Sequence, residues 1–267
     1  MIEKSIIKPS QSIGIIDMKD LALNQPLTNR GKKLRIQTIE LAKPNGGYHF
    51  GGSFSCIEIL LALFDDVLKN DETNKFVMSK GHACWPYYVL LRELGHDPLL
   101  EGHPHIGNGV NYTTGSMGHG MPATLGMAMA RKITNDNGQL YVLIGDGESQ
   151  EGTTWESMLL ARRFNVGNLT VIVDMNGIQG SGYVDDILPV TALGDTARAI
   201  GWNVKEVNGH NIDDVTDALK ATEGDDPKMI ICHTIKGKGV PFMEDVPAWH
   251  AQWVDDEKEA EIREMLK

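Results

Sequence analysis

Apolar positions along this chain follow two rhythms. In the first part the spacing is helical. Arg30 to Lys43 sets Leu34, Ile36, Ile39 and Leu41 apart from a basic face, Phe54 to Leu68 is strongly apolar, and Cys84 to Leu94 follows a short Gly-His turn. Gly118 to Ile133 is rich in Ala, Met and Gly, which suits a buried helix held close to its neighbour. From residue 139 the pattern changes to short β-branched and aliphatic runs: QLYVLI at 139–144, LTVIVD at 169–174, an extended stretch at 202–207 and MIICHT at 229–234. Helical segments lie between them at Thr153 to Val166, Val190 to Ile200 and Ile212 to Ala221. This alternation predicts an α/β fold, a parallel sheet with helices on both faces. In such folds ligands bind beyond the carboxyl ends of the strands. Here those ends carry Gly-Asp-Gly-Glu at 145–148, Asp-Met-Asn-Gly-Ile at 174–178 and Lys-Gly-Lys-Gly at 236–239.

Composition narrows the class. At 267 residues, 41% hydrophobic and 23% charged, with no repeat or low-complexity linker, the chain is expected to form one domain over 1–267, with 1–29 as an N-terminal extension. A net charge of -11 argues against nucleic-acid binding, which needs a basic footprint. Apolar runs such as Ile57 to Phe64 are too short to span a bilayer, and the first residues show no long apolar signal core. Cys56, Cys84 and Cys232 are widely spaced and odd in number, as expected of reduced thiols in the cytoplasm.

Two strand ends carry candidate chemistry. A Gly-Asp-Gly turn alone is equally well a plain strand-to-helix turn with a capping Asp. Asn176, two residues past the next strand's Asp174, changes that balance. With the two strands as neighbours, the Asp146 carboxylate and the Asn176 side-chain carbonyl enter one pocket, and Ile178 adds a backbone carbonyl. Hard oxygens at one locus suit octahedral Mg²⁺ or Ca²⁺, with the remaining positions taken by a diphosphate and water.

The Gly-Asp-Gly to Asn spacing resembles the thiamine diphosphate fingerprint, and the chain from about Arg30 to His250 is similar to the N-terminal, diphosphate-binding domain of transketolase. The resemblance is carried in order by His-Phe-Gly-Gly-Ser at 49–53, Phe-Val-Met-Ser-Lys-Gly-His at 76–82, Gly-His-Pro at 102–104 and Thr-Thr-Gly-Ser-Met-Gly-His-Gly at 113–120. It continues through 145–152, 174–178, His-Thr-Ile-Lys-Gly-Lys-Gly at 233–239 and Trp-His at 249–250.

The resemblance implies thiamine diphosphate as cofactor, with Mg²⁺ (or Ca²⁺ or Mn²⁺) on Asp146, Asn176 and the Ile178 carbonyl. It implies cofactor contacts from His82, Gly115, Met117, Gly147, Glu148, Asn176 and His250. His49, His103 and His250 would serve the reaction, which moves a two-carbon ketol unit from a ketose phosphate to an aldose. Histidine suits such proton transfers because its ordinary pKa of about 6.5 lies near working pH. Glu151 and Glu156 match acids of the family's subunit-contact region, or are simply first-turn helix acids. Phe50 stands where the family usually has Pro, which is expected to loosen the turn holding His49, and His119 stands where it usually has Gln.

Nothing here corresponds to the family's pyrimidine-binding or C-terminal domains, so the chain resembles the first subunit of a split transketolase. A second subunit carrying the pyrimidine domain would complete the site and supply most basic groups for sugar phosphate; this chain offers only Arg92, Arg131, Arg162 and Arg163 as candidate phosphate arginines. Two copies of each chain are expected, with no membrane and no nucleic-acid partner. The alternatives are another thiamine diphosphate enzyme chain (deoxyxylulose-phosphate synthase-like, or the α chain of a 2-oxo acid dehydrogenase) and a non-catalytic regulatory subunit.

Overall fold

The computed structural model describes residues 17–221 and 224–267; the first sixteen residues of the expected extension lie outside them. In chain order the helices are α1 (Met18–Asn24), α2 (Asn29–Ala42), α3 (Phe50–Ser55), α4 (Ile57–Ala62), α5 (Trp85–Glu93) and α6 (Gly120–Thr134). They continue with α7 (Gly152–Arg163), α8 (Val184–Ile187), α9 (Leu193–Ala199), α10 (Ile212–Lys220) and α11 (Asp256–Met265). The strands are β1 (Lys75–Met78), β2 (Leu140–Gly145), β3 (Leu169–Met175), a small hairpin of β4 (Ile178–Gln179) and β5 (Gly182–Tyr183), β6 (Asn203–Asn208) and β7 (Lys228–His233).

The main sheet runs β1-β2-β3-β7-β6, and every pairing in it is parallel. Successive strand residues point to opposite faces, so each strand feeds two cores. Phe76, Met78, Tyr141, Leu143, Ile172, Ile230 and Cys232 meet α2 to α5 and α10 on one side. Val77, Val142, Ile144, Val171, Val173, Met229 and Ile231 meet α6, α7 and α9 on the other. This is the expected α/β architecture with helices on both faces. Both faces being covered explains why the strands read as continuous apolar runs with no polar alternation.

The first third departs from the all-helical expectation. β1 is an edge strand of four residues, with only Phe76, Val77 and Met78 as its apolar run. That is too short for a period of two to show. The single helix expected over Phe54 to Leu68 is instead α3 and α4, broken at Cys56 (φ -102°, ψ 9°) and continued by a wide π-type turn at Leu63–Val67. α3 begins earlier than expected, at Phe50, and so takes in Gly51 and Gly52. Among the described residues no helix is long and apolar enough to cross a membrane.

Because β2 pairs with β3 in register Gly145 to Asp174, the two motif-bearing turns leave the sheet side by side. The loops after β1 and β7 flank them. All four open at the same edge, the carboxyl end.

α6 is joined to this edge by a close approach: a Cβ built on Gly120 would lie 2.5 Å from Ser79 Cβ and 2.9 Å from its Cα. Helix propensity alone makes Gly→Ala favourable by about 0.8–1.0 kcal/mol. Overpacking of this kind costs about 1–3 kcal/mol. Gly120→Ala is therefore expected to lower the urea midpoint at unchanged m-value; a raised midpoint would show that α6 has room to move.

Candidate active site

A cavity of about 440 Å³ opens at the carboxyl edge of the sheet. Every metal, cofactor and catalytic candidate lines it: His49, His82, His103, Gly115, Met117, Asp146, Gly147, Glu148, Asn176, Ile178 and His250. Its size is that of a small-molecule pocket. Glu151 lines it as well, whereas Glu156 does not. His96, His105, His119, His210 and His233 lie outside it, as do Arg92, Arg131, Arg162 and Arg163. Those arginines are engaged elsewhere: Arg92 with Asp97, Arg131 with the Thr73 carbonyl, Arg162 with Asp226, and Arg163 over the Phe164 ring.

The oxygen cluster is built by short-range geometry. Asp146, 2% exposed, accepts the Gly147 N–H on Oδ1 at 2.7 Å and the Gly177 N–H on Oδ2 at 2.5 Å. An ionised carboxylate has about four lone-pair sites, so roughly half remain for a cation. Asn176 donates its Nδ2 to Asp174 Oδ2 at 3.0 Å, which turns Oδ1 the other way; that oxygen accepts the Ile178 N–H at 3.1 Å. The Ile178 carbonyl accepts from Lys236 Nζ at 2.8 Å and retains a second lone pair. Burial first, and then the nearby Asp174, raises the Asp146 pKa, against the pull of its two backbone N–H donors. A carboxylate held that way gains from a divalent cation.

Beneath the cluster sits Asp174, which by sequence alone is only the end of a strand. It is fully buried and accepts from Lys80, Ser55 at 2.6 Å, Asn176 and Thr234. Burial works against its charge, but Lys80 first and then the hydroxyl donors prevail, holding its pKa below the ordinary value. Glu148 is likewise turned inward. Its carboxylate accepts from Ser79, from Gly118 N–H at 3.0 Å and from Gly145 N–H at 3.2 Å, tying the loop that carries Met117 to the ends of β1 and β2. Burial raises its pKa despite these donors.

Three imidazoles form a triangle in the same cavity. Ring centroids are 5.3 Å apart for His49 and His82, 5.4 Å for His49 and His250, and 5.1 Å for His82 and His250. His49 is set by its neighbours: Ser53 Oγ donates to its carbonyl at 2.8 Å, and Phe50 is buried edge-on against Phe54. Phe50 thus anchors the turn that it was expected to loosen. Gly115, at φ +147°, lies so close to His103 that a Cβ there would be 3.3 Å from the ring.

Two lysines of the cavity are not among the candidates that the sequence supplies. Lys80 is buried against Asp174. Lys236 reaches His250 Nδ1 at 3.0 Å, and burial together with Lys80 lowers its pKa to about 8. An ammonium donating to Nδ1 fixes the proton of His250 on Nε2. Burial, and then Lys236, bring His250 to about 3; burial, His103 and Lys236 bring His49 to about 4; His82 is lowered too, by burial and then Lys80. His103 falls through burial and His105. The expectation of titration near working pH is therefore corrected for His49 and His250, whose rings are held neutral there.

Comparison with known proteins decides the family. Residues 24–267 match the family model described as transketolase, thiamine diphosphate binding domain. The chain belongs to the transketolase family. It is 33% identical over 248 residues to a subunit of the apulose-4-phosphate transketolase of Phocaeicola vulgatus, covering 85% of this chain and 88% of that protein. It is 34% identical to a 6-deoxy-6-sulfo-D-fructose transketolase subunit of Clostridium sp., covering 90% of this chain and 96% of that one. Among solved structures, transketolase from Leishmania mexicana superposes with TM-score 0.78 at 26% identity, over 94% of this chain and 41% of that one. The Campylobacter jejuni transketolase gives 0.76 at 26% identity, over 93% and 42%. The chain thus spans less than half the length of these two transketolases and most of the length of the two relatives named as subunits.

The neutral rings of this transketolase-family cavity are directly observable. In ¹⁵N-resolved imidazole spectra of the ligand-free chain at pH 6, His49 and His250 are expected to show neutral patterns, with His49 protonating only near pH 4. An ordinary histidine, with a pKa of about 6.5, is mostly protonated at that pH. Midpoints in the ordinary histidine range for both would refute the arrangement.

Proposed function

We propose that this chain is the N-terminal subunit of a split, thiamine diphosphate- and Mg²⁺-dependent transketolase, moving a two-carbon ketol unit from a ketose phosphate to an aldose. The observation that carries the reading is the convergence of Asp146, Asn176 and the Ile178 carbonyl with His49, His82, His103 and His250 on one cavity of about 440 Å³. The donor set fits the proposed groups. Three hard oxygens retain lone pairs, as Mg²⁺ requires. Gln179 Oε1 is buried with no hydrogen-bond partner and belongs to a residue of the cavity wall. A Cβ on Gly147 would lie 2.8 Å from the Gln179 Cβ, so this glycine lets the Gln179 side chain pack against the turn that carries Asp146.

When bound, thiamine diphosphate supplies the electron sink for the carbanion left by cleavage beside the sugar carbonyl. Asp146, Asn176 and the Ile178 carbonyl hold the metal, and Lys236 offsets part of the negative charge of a diphosphate, the charge of Lys80 being taken up by Asp174. Gly115, Met117, Gly147 and Glu148 shape the wall on which the cofactor rests. His49, His103 and His250, which line the same cavity, accept and return protons at the sugar hydroxyls and carbonyl. A second subunit supplies the pyrimidine site, and the assembly holds two copies of each chain. That division is supported by relatives matched over most of their own length that are themselves named as transketolase subunits.

The test is reconstitution. Ketol transfer is expected only when the chain is mixed with a pyrimidine-domain partner, thiamine diphosphate and Mg²⁺; robust transfer by the chain alone would overturn the two-chain reading. Asp146→Ala is expected to weaken Mg²⁺-dependent cofactor retention in the complex by more than the about 10–100-fold typical of losing an outer partner of a metal ligand. Its melting temperature should hold. Unaltered cofactor affinity would remove the metal assignment.

A further inference from the structure

Three ionisable side chains lie outside the cavity and wholly inside the molecule. Arg35 of α2, Glu58 of α4 and His210, which follows β6, are each no more than 2% exposed. The Arg35 guanidinium donates to both Glu58 oxygens, at 2.6 and 3.0 Å, and His210 Nδ1 lies 2.8 Å from Glu58 Oε2. Burial pushes the Glu58 carboxyl upward, but Arg35 and His210 outweigh it and hold the pKa at about 2. Glu58 is therefore an anion, and His210 Nδ1 must be the donor. That leaves the Nε2 lone pair as acceptor. It accepts the Ile235 N–H at 2.8 Å.

Three residues further on, Arg35 Nε donates to the Lys238 carbonyl at 2.7 Å. The network thus grips the turn after β7 at both ends. Between the two grips lies Lys236, whose side chain enters the cavity and meets the Ile178 carbonyl and His250 Nδ1. The turn has little freedom left: Gly237 N–H donates to the Gly51 carbonyl at 3.0 Å, and Asp245 N–H to the Lys236 carbonyl at 3.0 Å. Stability is a weak reason for such a network, because apolar side chains of like volume often replace a buried ion pair at no cost. Placement of the turn is a better one.

We propose that Arg35, Glu58 and His210 are positioning residues: a buried clamp on the Ile235–Lys238 turn that sets the Lys236 ammonium against His250 and the Ile178 carbonyl. The catalytic consequence rests on the thiamine diphosphate reading above; the geometric one does not.

Two measurements test it. In the full chain, His210→Leu and Lys236→Met should both move the His250 Nδ1 resonance toward that of a neutral, unbonded ring. His210→Gln, whose amide oxygen is able to accept from the Ile235 N–H, should restore much of the shift. Val215→Ala, a truncation in the core face of α10, should lower the melting temperature and leave that resonance in place. In the complex with its partner chain, His210→Leu should reduce kcat by about 10–100-fold, the scale of a small misplacement, with sugar KM nearly constant. In a Lys236→Met background the same change should cost less than about twofold, since both act on one element. If His210→Leu fails to fold, Arg35→Lys is read in its place: it keeps the charge and loses the contact to Lys238. An unmoved His250 resonance, or independent, multiplicative losses in the double mutant, overturns the clamp. An inactive wild-type complex overturns the functional reading and leaves the resonance arm to decide the clamp.

Discussion

One buried carboxylate holds the working end of this molecule together. Asp174 sits at the end of β3, in the middle of the sheet, and takes hydrogen bonds from Ser55, Lys80, Asn176 and Thr234. Those four residues come from α3, the loop after β1, the loop after β3 and the turn after β7. An anion with no access to water must be fully paired, so each donor is drawn to one point. The orientation of the Asn176 amide follows directly. With Nδ2 committed to Asp174, the amide oxygen faces away from it. Removing this charge would also leave the Lys80 ammonium buried and unpaired, a loss of about 3–5 kcal/mol for a broken buried ion pair.

Much of the fold was legible because the parallel sheet is covered on both faces. Leu140 to Gly145, Leu169 to Met175 and Lys228 to His233 announce themselves as dense apolar runs, and observed bounds differ from expected ones by about a residue. β1 was not legible, since three apolar residues between Lys75 and Ser79 carry no period. The split at Cys56 was hidden for a different reason. Every residue of α3 and α4 is buried, the polar Ser53, Ser55 and Glu58 included, so no exposed position marks the break.

The cavity followed the same division. Asp146, Asn176, His49, His82, His103 and His250 sit in glycine-containing turns or short motifs, and the family resemblance is enough to single them out. Asp174, Lys80, Lys236 and the Arg35–Glu58–His210 network are not found that way, because their roles come from contacts between segments far apart in sequence, such as Ser55 and Asp174, 119 positions apart. Lys80 and Lys236 do carry a signal, a lysine followed by glycine at a strand end, which arginines considered alone as phosphate-binding cations leave aside. The histidines teach a related lesson. Their type is visible, whereas their neutrality depends on burial and on ammonium neighbours that no local pattern reveals.

The two lysines inside the cavity are outnumbered by the carboxylates of Asp146, Glu148 and Glu151 on its wall and Asp174 beneath it, and the chain as a whole has a net charge of -11. An approaching phosphate-bearing molecule therefore meets repulsion from the surface and from the cavity alike, which only a cation on the Asp146 cluster would reverse. With a Debye length of about 8 Å at physiological ionic strength, the field of such a cation would be felt only once the molecule has nearly arrived. Added electrolyte would accordingly hasten capture of such a molecule by this chain, the reverse of the slowing seen where the whole surface steers its ligand inward.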